Sequence, residues 1–517
     1  MSTPYARATQ AAPPVPSVRA RLWRLGAAVL AAVALSFVGV AAAQSGALRV
    51  ALEPPVRLDP AFASSDAEIA VVNAVYDYLV DVDVDNRIQP RLAASWSIAD
   101  GGLSYAFQLV EGVTFHDGRP LTAEDVVWTF DRLRDPELGA PTADLYANVA
   151  AIEATGPLEV TFTLREVNPF FLYDLSDNHA VVLAAGTEDA DTRFVGTGPF
   201  VVESYAVGDR MRLRANPDYF VPGAPGVATL EFLFFSDQVA GVDALRGGQV
   251  DLVMRMPTPL FLTLQGQPGI ETVAVATNGF DLVRLRADRA PGDDPRVQQA
   301  LKLATDPAAI IEVVTFGYGA ATNHGPIGPL YGRYHLESLR PAPRDAARAR
   351  ALLAEAGYPD GLDLVLHTPD SGDRPALASV LQAQWAEAGI RIEIQVEPES
   401  VYYGDDGWLD VDLGITGWGS RPVPSFYLDV MVACGAVWNE AHFCDPEVDE
   451  LIAFAKTTLD DDARTDAYHR IQEILLDRGP FVIPYFFPQF GALSDRFDGL
   501  AMKAFPGRTD LAAIALR

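Results

Sequence analysis

Along this chain, apolar positions alternate with polar ones in some stretches and recur at helical spacing in others. Leu48-Arg49-Val50-Ala51-Leu52 reads as a strand, and 68–80, EIAVVNAVYDYLV, places its apolar residues at helical intervals. The stretch 105–115 predicts two short strands around a Glu111-Gly112 turn. Further strands are predicted at 159–164, 200–205, 211–214, 229–235 and 272–276, and helices at 296–304, 307–316, 344–356, 446–457 and 462–476. Strand 362–368, helix 376–388 and strand 391–397 form a βαβ unit, which requires a parallel sheet. The fold class is therefore α/β. At 517 residues the chain exceeds what one core holds, so two or more lobes are expected. Without a long low-complexity linker, such lobes are discontinuous, the chain crossing between them two or three times.

Residues 1–43 break this pattern. Arg7, Arg19, Arg21 and Arg24 precede an apolar run from Leu25 to Val40, and Ala41-Ala42-Ala43 follows. That order reads as a cleavable secretory signal, cut after Ala43. Sixteen apolar residues are short for a membrane span. There is no twin arginine, and no cysteine follows the cut to carry a lipid. Losing four arginines takes the net charge from −30 to −34, which disfavours nucleic acid and anionic lipid as partners. In an exported chain, Cys434 and Cys444 are expected to form a disulfide rather than a metal site.

Chemistry is scarce. The chain has no Gly-Lys-Ser/Thr phosphate loop, no His-Glu-x-x-His and no Gly-x-Ser-x-Gly. Asp81, Asp83 and Asp85 imitate half a calcium loop, but Asn86 and Leu92 stand where Gly and Glu are needed, so a polar hairpin is expected. The densest polar stretch is 113–130, VTFHDGRPLTAEDVVWTF. Its Thr122-Ala123-Glu124-Asp125 reads as an acidic capping box that starts a helix with Val126, Val127 and Phe130 on its apolar face. Asp117-Gly118 reads as a turn, and His116 and Asp117, adjacent at a strand end, point apart. Neither catalysis nor a metal site is expected, and no cofactor.

That stretch, extended to 111–133, resembles the hallmark of extracytoplasmic solute-binding proteins of the peptide/nickel family of ABC importers. LDPAF (58–62), GTGPFVVESY (196–205), NPDYF (216–220), GGQVDLV (247–253), LLAEAGYPDG (352–361) and CDPEVDELI (444–452) continue the resemblance in order. It implies a two-lobed periplasmic-binding-protein fold of type II with an inserted subdomain. Lobe I would comprise 44–80, 190–280 and 485–517, the insertion 81–189, and lobe II 281–484. It also implies a monomer that captures a peptide or other small solute and passes it to a membrane permease. The alternatives from other classes are a secreted hydrolase using a carboxylate pair and a periplasmic sensor or chaperone-like module.

The segment 413–428, LGITGWGSRPVPSFYL, is where a ligand is expected. Trp418 and Arg421, with Ser420 between them, suit a planar acid, and Pro422 and Pro424 stiffen the loop, reducing the entropy lost on binding. The resemblance implies that the matching loop lines the ligand, but many dipeptide binders carry an aspartate there for the ligand amine. Here no acid lies between Gly414 and Leu428, so an acidic ligand or a carboxylate-held peptide is expected. Further candidates are Arg374 after strand 362–368, Asn278 and Phe280 near a lobe crossing, Ser64 and Ser65 after LDPAFA, and Tyr402 and Tyr403 on the second lobe.

Overall fold

The computed structural model of the protein describes residues 46–404 and 407–517; the signal reading falls outside them. Two seven-stranded sheets organise it. In the first, Ala47–Leu52 lies parallel to Thr229–Phe234 and Leu252–Val253, and antiparallel strands extend both edges. In the second, Phe280–Leu285 runs antiparallel to Leu413–Trp418, while Leu362–Pro369 and Ile390–Glu397 pair in parallel across the helix Arg374–Ala386. The βαβ unit is therefore as expected. Each sheet has its own core: Val50, Leu230 and Phe232 in the first, Val283, Leu366 and Trp385 in the second. The molecule is accordingly two-lobed.

A separate antiparallel sheet of four strands, from Ala93–Ala99 to Glu159–Leu164, packs Phe107 and Phe162 into the first lobe's core. The helix Ala123–Leu133 covers it, with Phe130 edge-on to Phe162 at 5.2 Å. Its start is the expected capping box: the Asp125 carboxylate accepts the Thr122 backbone N–H at 2.8 Å, and its other oxygen accepts Ala185 N–H at 2.8 Å. His116 bonds Gly198 O through Nε2 at 3.0 Å, and Asp117 accepts Arg119 N–H at 3.2 Å within the turn. The polar residues of this stretch are scaffolding.

Two expectations need correction. The predicted helix 68–80 stops at Val75, because Asp77 turns inward to Arg91 (3.2 Å), Tyr219 (3.1 Å) and Thr197 (3.2 Å). Val80–Val82 then pairs with Ile88–Pro90, the polar hairpin expected in place of a calcium loop. The second strand predicted at 113–115 does not pair across Glu111-Gly112. Asp117-Gly118 supplies a nearer turn, so Val113 and Phe115 bond Leu121 and Arg119 instead.

The chain passes between the sheets at 276–279, after Ile270–Val275, and again at 487–488, before Gln489–Ser494. These segments lie side by side. Thr277 Oγ1 donates to Phe487 O at 2.6 Å, and Phe487 N–H to Gly279 O at 2.9 Å. A Cβ on Gly279 would stand 2.4 Å from the Phe487 ring, so only glycine allows this approach.

Candidate functional site

The crossings form the floor of a cleft with a cavity of about 710 Å³, within the range of small-molecule sites. One wall comes from the 82–86 hairpin, the loops at 141–145 and 173–179, and the tail at 503–508. The other comes from Asn278, the loop 420–430 and Trp438. Contacts bridge the walls: Asn86 Nδ2 donates to Pro422 O at 2.5 Å, and Phe170 meets Tyr334 edge-on at 6.1 Å. A second cavity, about 520 Å³, opens at the carboxyl end of Ala47–Leu52, and Phe505 lines both.

The loop after Leu413–Trp418 is held from several sides. Tyr331 donates to Arg421 O at 2.9 Å, Tyr427 donates to Gly419 O at 2.7 Å, and Ser420 Oγ accepts Asn278 N–H at 3.1 Å. Arg421 reaches the cavity with its guanidinium 4.4 Å from the Phe426 ring centroid, a cation–π arrangement. Among the described residues it has no carboxylate partner. Asn278 is 1% exposed, lines the cavity, and leaves its Oδ1 without a hydrogen-bond partner. Arg421, Ser420 and Asn278 thus converge on one wall.

Other candidates do not reach that wall. Trp418 is buried, because its register opposite Phe280 turns both rings into the core, where they stack 6.4 Å apart. Its indole N–H donates to Glu440 at 3.1 Å, and Trp438, 6.0 Å away, lines the cavity in its place. Phe280 and Tyr402 are fully buried, the Tyr402 hydroxyl meeting Thr416 Oγ1 at 3.0 Å. Tyr403 is exposed but outside the cavity lining. Arg374 is neither a clamp nor solvated: it turns inward to Asp281 at 3.4 Å and bonds Ser371. Ser64 and Ser65 line the second cavity. Their backbone N–H groups bond Glu68, and Ser65 Oγ accepts Glu68 N–H at 3.2 Å, so both start the helix Asp66–Val75.

Behind Trp418 lies a network that sequence reasoning missed. Arg284 and Glu440, both fully buried, pair at 3.1 Å, and Thr416 donates to Glu440 at 2.6 Å. Burial pushes the Glu440 carboxyl up, with Arg284 opposing. Glu440 and Trp438 sit in the loop closed by the Cys434–Cys444 disulfide. An exposed Val437-Trp438 pair between two cysteines was the available signal.

The first wall is acidic but largely self-neutralised. Asp81 pairs with Lys503 at 2.8 Å and with Arg508; burial would raise its carboxyl, but these cations hold it below the usual range. Asp177 bonds His179 at 2.6 Å. Asp174 accepts only Asn168 Nδ2, at 2.6 Å, and burial pushes its carboxyl up to about 8.

The model of the bacterial extracellular solute-binding proteins, family 5, matches residues 87–439. The chain belongs to this family. It is 31% identical over 497 residues to a probable di/tripeptide-binding protein 5 of Pseudomonas aeruginosa, covering 87% of this chain and 91% of that one. It is 26% identical to the glutathione-binding protein GsiB of Escherichia coli, covering 82% and 86%. Among solved structures, the ABC transporter substrate-binding protein CtaP of Listeria monocytogenes superposes with a TM-score of 0.81 at 23% identity, over 92% of this chain and 99% of that one. As a family 5 solute-binding protein, the chain is a binding protein and not an enzyme, and its cleft is where the two lobes meet. No helix among the described residues is long and apolar enough to cross a membrane.

Proposed function

We propose that this protein is the periplasmic solute-binding component of an ABC importer, capturing a short peptide or another small acidic solute. The observation that carries the reading is Arg421: a guanidinium on the cavity wall, fixed by its loop and without a carboxylate of its own. A planar fork so placed suits a ligand carboxylate. The printed functions of the relatives, di/tripeptide and glutathione binding, concern ligands that carry such groups. In this reading the protein is exported with cleavage after Ala43, acts as a monomer and delivers the solute to a permease. Lobe I comprises 44–80, 190–280 and 485–517, with 81–189 inserted, and lobe II 281–484. The sheet membership of the strands on either side of 276–279 and 487–488 supports these bounds.

Native mass spectrometry of the protein purified from a periplasmic extract tests the reading. A small molecule retained intact, with capture weakened about tenfold or more in Arg421→Ala, is the expected result, since a bond to a charged group contributes about 1.5–3 kcal/mol. Turnover of the retained molecule, or an unchanged dissociation constant in the variant, contradicts it.

A further inference from the structure

The cavity charges can be paired off, and the remainder is informative. Asp81 is held by Lys503 and Arg508, Asp177 by His179, and Asp429 by Lys456 at 3.1 Å. Asp83 is occupied by its own hairpin, accepting Asp85 and Arg87 N–H at 2.9 Å each. Among the described lining residues, three charged groups then have no ion partner: Asp144, Asp174 and Arg421. The two acids belong to the first-lobe wall and the arginine to the second.

Uncharged groups repeat the division. On the acidic side, the buried Thr142 Oγ1 lacks a hydrogen-bond partner, two residues from Asp144. On the arginine side, the carboxamide of Asn278, 1% exposed, has an unpartnered Oδ1. A buried polar group without a partner is costly, so these groups point to a ligand that completes them. The raised affinity of Asp174 for its proton fits a carboxyl waiting for a cation in a low-dielectric pocket.

We infer that the cleft binds its ligand as a dipole: a carboxylate on Arg421 of the second lobe, and a protonated amine against Asp174 and Asp144 of the first. This rests on the solute-binding reading above and narrows the ligand to zwitterions with a free amine, such as short peptides or peptide conjugates. The acid missing from the Gly414–Leu428 segment is supplied from the opposite wall. Closure is then coupled to both ends of the ligand, because neither lobe alone offers both charges.

The test uses the mature chain from Gln44 and three equimolar libraries of di- and tripeptides: free, amino-acetylated and carboxyl-amidated. Native mass spectrometry reads retention. The expected result is that acetylation and amidation each lower retention about tenfold or more, and that Asp174→Asn abolishes the preference for free over acetylated peptides. Free and acetylated peptides retained equally by the native protein, with amidated ones lost, would overturn the inference while leaving the role of Arg421 intact. Retention of none of the libraries overturns both this inference and the peptide reading. The acetylation comparison is made on the unmodified protein, so it stands even where the variant fails to fold.

Discussion

At the scale of single residues, the buried pair Arg284–Glu440 is the most demanding feature of the second lobe. Two charges without solvent are tolerated there because Thr416 and the Trp418 indole also bond the carboxylate. Glu440→Ala leaves Arg284 charged and unpaired, so it should lower stability by about 3–5 kcal/mol, read as a lower urea midpoint; a change below about 1 kcal/mol would show that water reaches the guanidinium. Asp174 makes a different prediction. Its native carboxyl titrates at about 8, whereas an unfolded one titrates near ~4. Between those values the native state holds a proton that the unfolded chain has released, so this residue makes stability fall as pH rises through the window. Asp174→Asn should flatten that fall, measured as unfolding free energy at pH 5 and pH 8. An unchanged slope would mean the carboxyl is already ionised in the native cavity.

At the scale of elements, the hairpin Val80–Val82 and Ile88–Pro90 acts as a clasp across the cleft. Its Asn86 carries the hydrogen bond to Pro422 O, and Tyr173 donates to Asn86 O at 3.0 Å. Asn86→Ala removes about 1 kcal/mol from the closed form, so solute should dissociate about fivefold faster in stopped-flow release. Elements were also the level most legible in the sequence. Strands such as Arg210–Ala215 alternate cleanly, and the helix Ala123–Leu133 announces itself by Thr122 and Asp125. Faces were less legible. Leu413–Trp418 has no polar alternation to say which way Trp418 points, and only its register with Phe280 buries it. Arg421, beyond the strand in a proline-stiffened loop, was easier to place. The acids of the opposite wall lie some 240–280 positions earlier in the chain. No local pattern links Asp144 or Asp174 to that loop, because only the closure of two lobes brings them together.

At the scale of the whole molecule, two sheets joined by two adjacent crossings form a body with a soft direction. Each lobe has a core of its own, so rotation about 276–279 and 487–488 breaks few core contacts; it breaks the clasp and the contact of Phe170 with Tyr334. A ligand that touches both walls favours the closed form by its differential contacts, and its release restores the open one. Small-angle X-ray scattering of the mature chain, with and without the solute released from the purified protein, tests this claim most directly. The account predicts a smaller radius of gyration with solute and full reversal when the solute is dialysed away. An identical radius in both states, with binding demonstrated in the same samples, would contradict closure of two lobes on a guest.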